Sequence, residues 1–155
     1  MIVELNHKDA DTAQKMLDVQ LPSYLVEAEL IGFHDIPPLR DTTATIRESG
    51  ESFIGFTVDQ ELAGFVSYEL ADDGNCVDIC RMVVHPDYFR RGIARQLLSH
   101  LLAGAAAHKK VTVSTGERNE PAKSLYRSFG FTEAKQIEIA PGVKLSLFEL
   151  PAVRG

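Results

Sequence analysis

The chain has 155 residues, 45% of them apolar and 25% charged, which is the size of one domain with enough apolar surface to bury a core. A formal charge of −6 and a pI near 5.3 argue against nucleic acid or an anionic membrane surface as a partner, so any anion must be held by a local site. The same charge mildly favours cationic partners such as amines, although simple solubility explains it equally well.

Met1 to Leu5 reads as a short strand. Asp9 or Asp11 can cap the helix that follows, through about Val19. Pro22, a good first-turn residue, opens a second helical piece over 22–33 (PSYLVEAELIGF), and Ile36-Pro37-Pro38 interrupts it. Residues 40–49 read as a further helix with Ile46 turned inward. The pattern then changes to strands. SFIGFTV (52–58) and LAGFVSYEL (62–70) form a hairpin around Asp59-Gln60-Glu61. Asp72-Asp73-Gly74-Asn75 is a strong turn, and VDICRMVV (77–84) completes an antiparallel meander. With strict alternation, Asp78, Cys80 and Met82 share one face of that strand, and Val77, Ile79, Arg81 and Val83 the other.

His85-Pro86-Asp87 ends the meander. Residues 91–108 form the clearest helix, with Ile93, Ala94, Leu97, Leu98, Leu101, Leu102, Ala105 and Ala106 in one apolar stripe. KVTVS (110–114) is a strand. A short helix follows, capped by Asn119, begun at Pro121 and ended by Gly130, with Ala122, Leu125, Tyr126 and Phe129 on one face. Two last strands, near 131–139 and 143–150, turn at Pro141-Gly142. A meander followed by strand–helix–strand predicts a mixed sheet with helices on its faces.

Cys76 and Cys80, four residues apart on a strand, would lie roughly 13 Å apart, too far for a disulfide. No Cys/His spacing suits zinc. MIVELNHKDAD lacks the basic-then-apolar pattern of a secretory signal, and no apolar run is long enough to span a bilayer. A cytoplasmic location is the expectation.

The chemistry concentrates at the loop before the long helix. A helix start offers free backbone N–H groups and the positive end of the helix dipole, which together hold anions. Gly92 permits close backbone approach, Ala94 keeps the next side chain small, and Arg90 and Arg91 add charge. An ordinary helix start with solvated arginines reads the same way.

Two segments carry a resemblance. RMVVHPDYFRRGIARQLLSHLL (81–102) and NEPAKSLYRSFGF (119–131) resemble the two cofactor motifs of the GNAT (Gcn5-related N-acetyltransferase) superfamily, in order and spacing. The resemblance implies a single α/β (α+β) domain over residues 1–155. Its mixed central sheet would have six to seven strands and about four flanking helices, with the fourth and fifth strands splayed into a cofactor cleft. It implies acetyl-CoA as cosubstrate, no metal, and direct attack of a primary amine in a ternary complex. Backbone groups of Met82, Val83 and Val84 would flank the acetyl and pantetheine portion, with the Val83 N–H as oxyanion donor. Backbone N–H groups of Arg90, Arg91, Gly92, Ile93 and Ala94 would take the pyrophosphate. Phe89 stands where the family carries Gln or Arg. Tyr126 would protonate the leaving thiolate, and Asn119 would bond the pantetheine arm or cap its helix. Asp78 is the expected base for the amine, with His85 as a weaker candidate. Tyr24, Glu27, Glu29, Phe33, His34 and Asp35 form an aromatic and acidic group suited to a cationic acceptor, either an amine-bearing small molecule or a peptide. A catalytically silent acyl-CoA sensor is the alternative of another class. A homodimer could form by pairing of the last strands.

Overall fold

The structure is a computed structural model that describes residues 1–152. Strand β1 (Ile2–Glu4) leads into helix α1 (Ala10–Ile31), which runs unbroken through Pro22. This corrects the expectation of two helices. Asp9 caps the start by accepting the Thr12 N–H, and Gly32 closes the end in the left-handed conformation at φ 70°. Between these caps Ala13, Met16, Val19, Gln20, Tyr24, Ala28 and Ile31 are all buried, so packing along both halves offsets the one helical bond that Pro22 cannot donate. A 3-10 turn (Pro37–Arg40) and a short helix α2 (Thr43–Glu48), with Ile46 fully buried, complete this half.

Strands β2 (Ser52–Val58), β3 (Glu61–Ala71) and β4 (Cys76–Val84) form the expected meander. Helix α3 (Ile93–Ala103), strand β5 (Lys110–Gly116), helix α4 (Glu120–Ser128) and strands β6 (Thr132–Ala140) and β7 (Val143–Leu150) follow. Helix α3 is shorter than the apolar stripe suggests, because Gly92 is left-handed at its start and Gly104 leaves helical geometry at its end. The sheet has seven strands in the order β1-β2-β3-β4-β5-β7-β6, with β4 and β5 its single parallel pair. Helices α3 and α4 cover one face over Val66, Val77, Ile79, Val111 and Phe148. Helices α1 and α2 cover the other over Phe53, Phe65 and Val83.

Two irregularities in β4 position everything that follows. Its pairing with β3 slips by one residue: Arg81 opposes Ser67 and Ile79 opposes Tyr68, so Cys80 is an extra, bulged residue. Its pairing with β5 stops at Ile79–Val113. Beyond that point the two strands diverge. The bulge also breaks the expected alternation. Met82 and Val84 pack with Val77 and Ile79 on the α3/α4 face, whereas Val83 goes to the α1/α2 face.

Below the bulge, Arg81 ties the α1/α2 half to β4. Its guanidinium grips Glu51 through Nε and Nη2, both at 3.1 Å, and bonds Asp41 Oδ2 at 3.0 Å and Gln20 Oε1 at 2.9 Å. Ser67 Oγ donates to the same Glu51 carboxylate at 2.6 Å. The Phe53 ring lies under the guanidinium, with its centroid at 5.5 Å. A charge this buried is tolerated because each guanidinium nitrogen has an acceptor and two carboxylates face it.

Candidate active site

The gap between β4 and β5 opens into a cleft of about 950 Å³, a size suited to a large organic ligand. Its floor comes from Cys80, Met82 and Val84 on one side and Val113 to Gly116 on the other. One end is walled by Phe89, Arg90, Gly92, Ile93, Ala94 and Arg95 with the exposed side of α4. The other is walled by α1, Ile36-Pro37-Pro38, Ile139 and Leu145.

Alternation in an antiparallel ladder decides which amides face this cleft. The His85 N–H donates to Ala63 O at 2.8 Å, which makes that pair, and every second pair toward the bulge, a hydrogen-bonded one. Val83 therefore spends its N–H on Phe65, and Met82 and Val84 turn theirs toward the side β5 has left. This corrects the expectation that Val83 supplies the cleft-facing donor.

At the α3 end, Gly92 sits at φ 73° as the N-cap, with no side-chain capping bond. Arg90 also lies at positive φ, 65°. The arginines next to the glycine do different things. Arg90 lines the cleft, whereas Arg91 does not and stacks over the Tyr88 ring at 5.2 Å. Arg95, one turn along, lies over Phe129 and donates to Ser128 Oγ at 3.0 Å. Phe89 is exposed and lines the cleft.

Tyr126 lines the middle of the cleft, only 2% exposed, its ring braced by Phe131 at 5.5 Å and Phe148 at 6.2 Å. Burial, and after it the charge of Glu27, push its phenol well above the usual tyrosine range, so it stays protonated. Tyr24 is held the same way by burial and Glu27. Asn119 does two things at once. Its Oδ1 accepts the Ala122 N–H and its Nδ2 donates to Glu27 Oε1 at 3.2 Å. Thr115 Oγ1 approaches the same oxygen at 3.5 Å. Burial raises the Glu27 carboxyl above its ordinary value, against these two hydrogen bonds.

Several expected residues lie elsewhere. Asp78 is outside the cleft, upstream of the bulge, and accepts a 2.7 Å bond from Thr112 Oγ1. Phe33 packs into the α1/α2 core, His34 is exposed, and neither lines the cleft. His85 turns its Nδ1 to the Asp87 N–H. Cys80 does line the cleft, but burial and the nearby Glu51, Asp78 and Glu69 push its thiol up to about 12, which leaves no thiolate to act as a nucleophile. Both cysteines are free. Sequence reasoning missed the Arg81–Glu51–Asp41–Gln20 cluster. The one signal is an arginine in the middle of a mostly apolar strand. Among the described residues no group of acids, histidines and cysteines is placed to hold a metal, and no helix is long and apolar enough to cross a membrane.

Known proteins resemble this chain in sequence and in fold. Residues 13–131 match the profile described as the acetyltransferase (GNAT) family. The UPF0157 protein YqkA of Bacillus subtilis (strain 168) is 43% identical over 150 residues, covering 97% of this chain and 43% of that protein. The [ribosomal protein bS18]-alanine N-acetyltransferase of Salmonella typhimurium is 34% identical over 90 residues, covering 55% of this chain and 59% of that one. The chain thus spans about half the length of these curated relatives. In fold it is similar to yncA from Salmonella typhimurium, whose structure holds its cofactor acetyl-CoA: TM-score 0.72, 17% identity, 100% of this chain and 95% of that one.

Proposed function

The chain belongs to the GNAT acetyltransferase family, and from that premise we propose that it moves an acetyl group from acetyl-CoA to a primary amine by direct attack in a ternary complex. The observation that carries this reading is the split between β4 and β5, with the Met82 and Val84 amides turned into it and Tyr126 at its centre. These features fit the cosubstrate. An extended amide-bearing arm can add as a strand to Met82 and Val84 where β5 has diverged, and the left-handed Gly92 start of α3 suits a pyrophosphate. When bound, acetyl-CoA supplies an activated thioester and leaves as a thiol.

The chain's own groups do the rest. A cleft-facing amide of Met82 or Val84 polarises the thioester carbonyl. Tyr126 donates its O–H to the departing sulfur and is reprotonated by the second proton of the attacking nitrogen, so the phenol ends as it began. Its raised pKa makes it a hydrogen-bond donor more than a full acid. The base is not expected at Asp78, which points away.

The acceptor is an amine-bearing small molecule or peptide. The peptide reading draws support from the Salmonella relative, which acts on a ribosomal-protein alanine. A cytoplasmic location and action without a metal belong to the same reading, as does a homodimer through the exposed β6 edge.

Thermal-shift titration with acetyl-CoA tests the reading. At a hundredfold excess over Kd it should add about 2.7 kcal/mol, a rise in Tm of roughly 5–10 °C. Tyr126→Phe should keep that shift and lose about 100-fold or more in kcat. Absence of the shift overturns the cofactor assignment, and unaltered turnover removes Tyr126 from its role.

A further inference from the structure

The acceptor end of the cleft carries a broad aliphatic wall beside a few polar groups, Ser23, Tyr24, Glu27 and Arg81. Leu30, Ile36, Pro37, Ile139 and Leu145 wall it, and Leu30 and Ile139 are 44% and 43% exposed at its mouth. Exposed aliphatic side chains converging on one opening mark a binding surface for apolar matter. Among the described residues Glu27 is the single carboxylate that lines the whole cleft. It lines the cleft together with Tyr24 and Tyr126, and Asn119 and Thr115 hold its Oε1. Arg81, which also lines the cleft, already faces two carboxylates, Glu51 and Asp41, so its charge is offset before any ligand carboxylate arrives.

Resting on the acetyl-transfer reading, we propose that the acceptor is a monoamine on an uncharged apolar body, with Glu27 binding the ammonium group and taking its proton. The charge arithmetic gives the class. One ammonium meets one carboxylate. A second ammonium, as in a polyamine, would rest against Leu30, Ile36 or Ile139 with no counter-charge. A free amino acid would set its own carboxylate beside Glu27 with no cation to hold it. The chemistry is complete without a further reactant. Glu27 accepts one proton from the ammonium, the freed lone pair forms the C–N bond as the C–S bond breaks, and the second N–H proton passes to the thiol through Tyr126.

The test is a rate panel with acetyl-CoA over hexylamine, phenethylamine, 1,6-diaminohexane, glucosamine, leucine and an amidated dipeptide with an N-terminal leucine. Hexylamine should exceed the diamine in kcat/KM by at least about tenfold. In the presence of CoA, hexylamine should also raise Tm, and Glu27→Gln should abolish that rise while leaving the acetyl-CoA shift intact. Leu30→Asp places a second carboxylate at the mouth and should reverse the preference toward the diamine. Leu25→Asp, at 50% exposure on the same helix but outside the cleft, should not. Turnover of the dipeptide alone supports the same chemistry at a chain terminus. Preference for the diamine, glucosamine or leucine, an unmoved preference in Leu30→Asp, or silence of the whole panel with the acetyl-CoA shift present overturns the proposal. Loss of the acetyl-CoA shift itself overturns the underlying reading instead.

Discussion

Replacing Gly64 by alanine should strain the sheet at the point where it divides. Gly64 opposes Val84 across β3 and β4. A Cβ there would lie 2.5 Å from the Val83 carbonyl oxygen and 3.3 Å from Val84 Cα and Cγ2. The nearest of these is a backbone oxygen and cannot rotate away. Ordinary contact begins at 3.4 Å, so the two strands must part by roughly 0.9 Å. The His85–Ala63 bond, now 2.8 Å, and its neighbour at Phe65–Val83 would stretch toward the limit of useful geometry. Overpacking of this kind costs about 1–3 kcal/mol, and a weakened ladder bond about 1 more. The expected loss is roughly 2–4 kcal/mol, a fall in Tm of about 5–15 °C. Urea unfolding followed by circular dichroism measures it, with m unchanged and the midpoint lowered. Gly50→Ala, where a Cβ meets nothing within 4 Å, serves as the control. Equal midpoints for Gly64→Ala and the native chain would refute the strand-spacing argument. Acetyl-CoA affinity should fall as well, because the shift moves the Met82 and Val84 amides.

At the other end of the cleft, Gly92→Val should weaken acetyl-CoA binding more than Arg90→Ala or Arg91→Ala, read by calorimetric titration. A β-branched residue at φ 73° costs about 1–2 kcal/mol, or roughly 5- to 30-fold in Kd, whereas Arg91 is turned onto Tyr88. The reverse ranking would mean that side chains, not backbone, hold the anion. Glu51→Gln tests the buried cluster. Burial raises the Glu51 carboxyl, but hydrogen bonds from Ser67 and Ser49 and the Arg81 charge outweigh it and hold it below its ordinary 4.5. A lowered folded-state pKa stabilises above the unfolded value and loses that effect as pH falls through the folded one. The variant should therefore lose about 2 kcal/mol at pH 7, a figure reduced because both side chains keep 12% exposure. The gap should narrow as the pH falls below 4.5 and vanish only once the lowered folded-state value is passed. A gap constant between pH 7 and pH 3 would contradict the assignment.

The strands from 52 to 84 were legible because each is bounded by a turn with its own chemistry, such as Asp72-Asp73-Gly74-Asn75. The helix start at Gly92 and the cap at Asn119 are legible because the turn and capping chemistry is local. Helix α1 was split in error because Pro22 reads as a start, and only tertiary burial on both sides of it shows otherwise. The shared face expected for Asp78, Cys80 and Met82 assumes an unbroken period of two, and the bulge at Cys80 moves Met82 to the other face from the one that alternation gives. The Arg81 cluster was invisible because it joins residues as far as 61 positions apart, a separation at which a single sequence carries no periodic signal.

That bulge has a consequence for how the cleft can change. The face switch and the departure from β5 follow from how many residues β4 holds between Ile79 and Arg81, not from which residue stands there. Substitution at Cys80 alters the lining and leaves the opening in place. Altering the chain length at that point acts on the opening itself. Residues that line the cleft can therefore change while the gap itself is preserved by count alone.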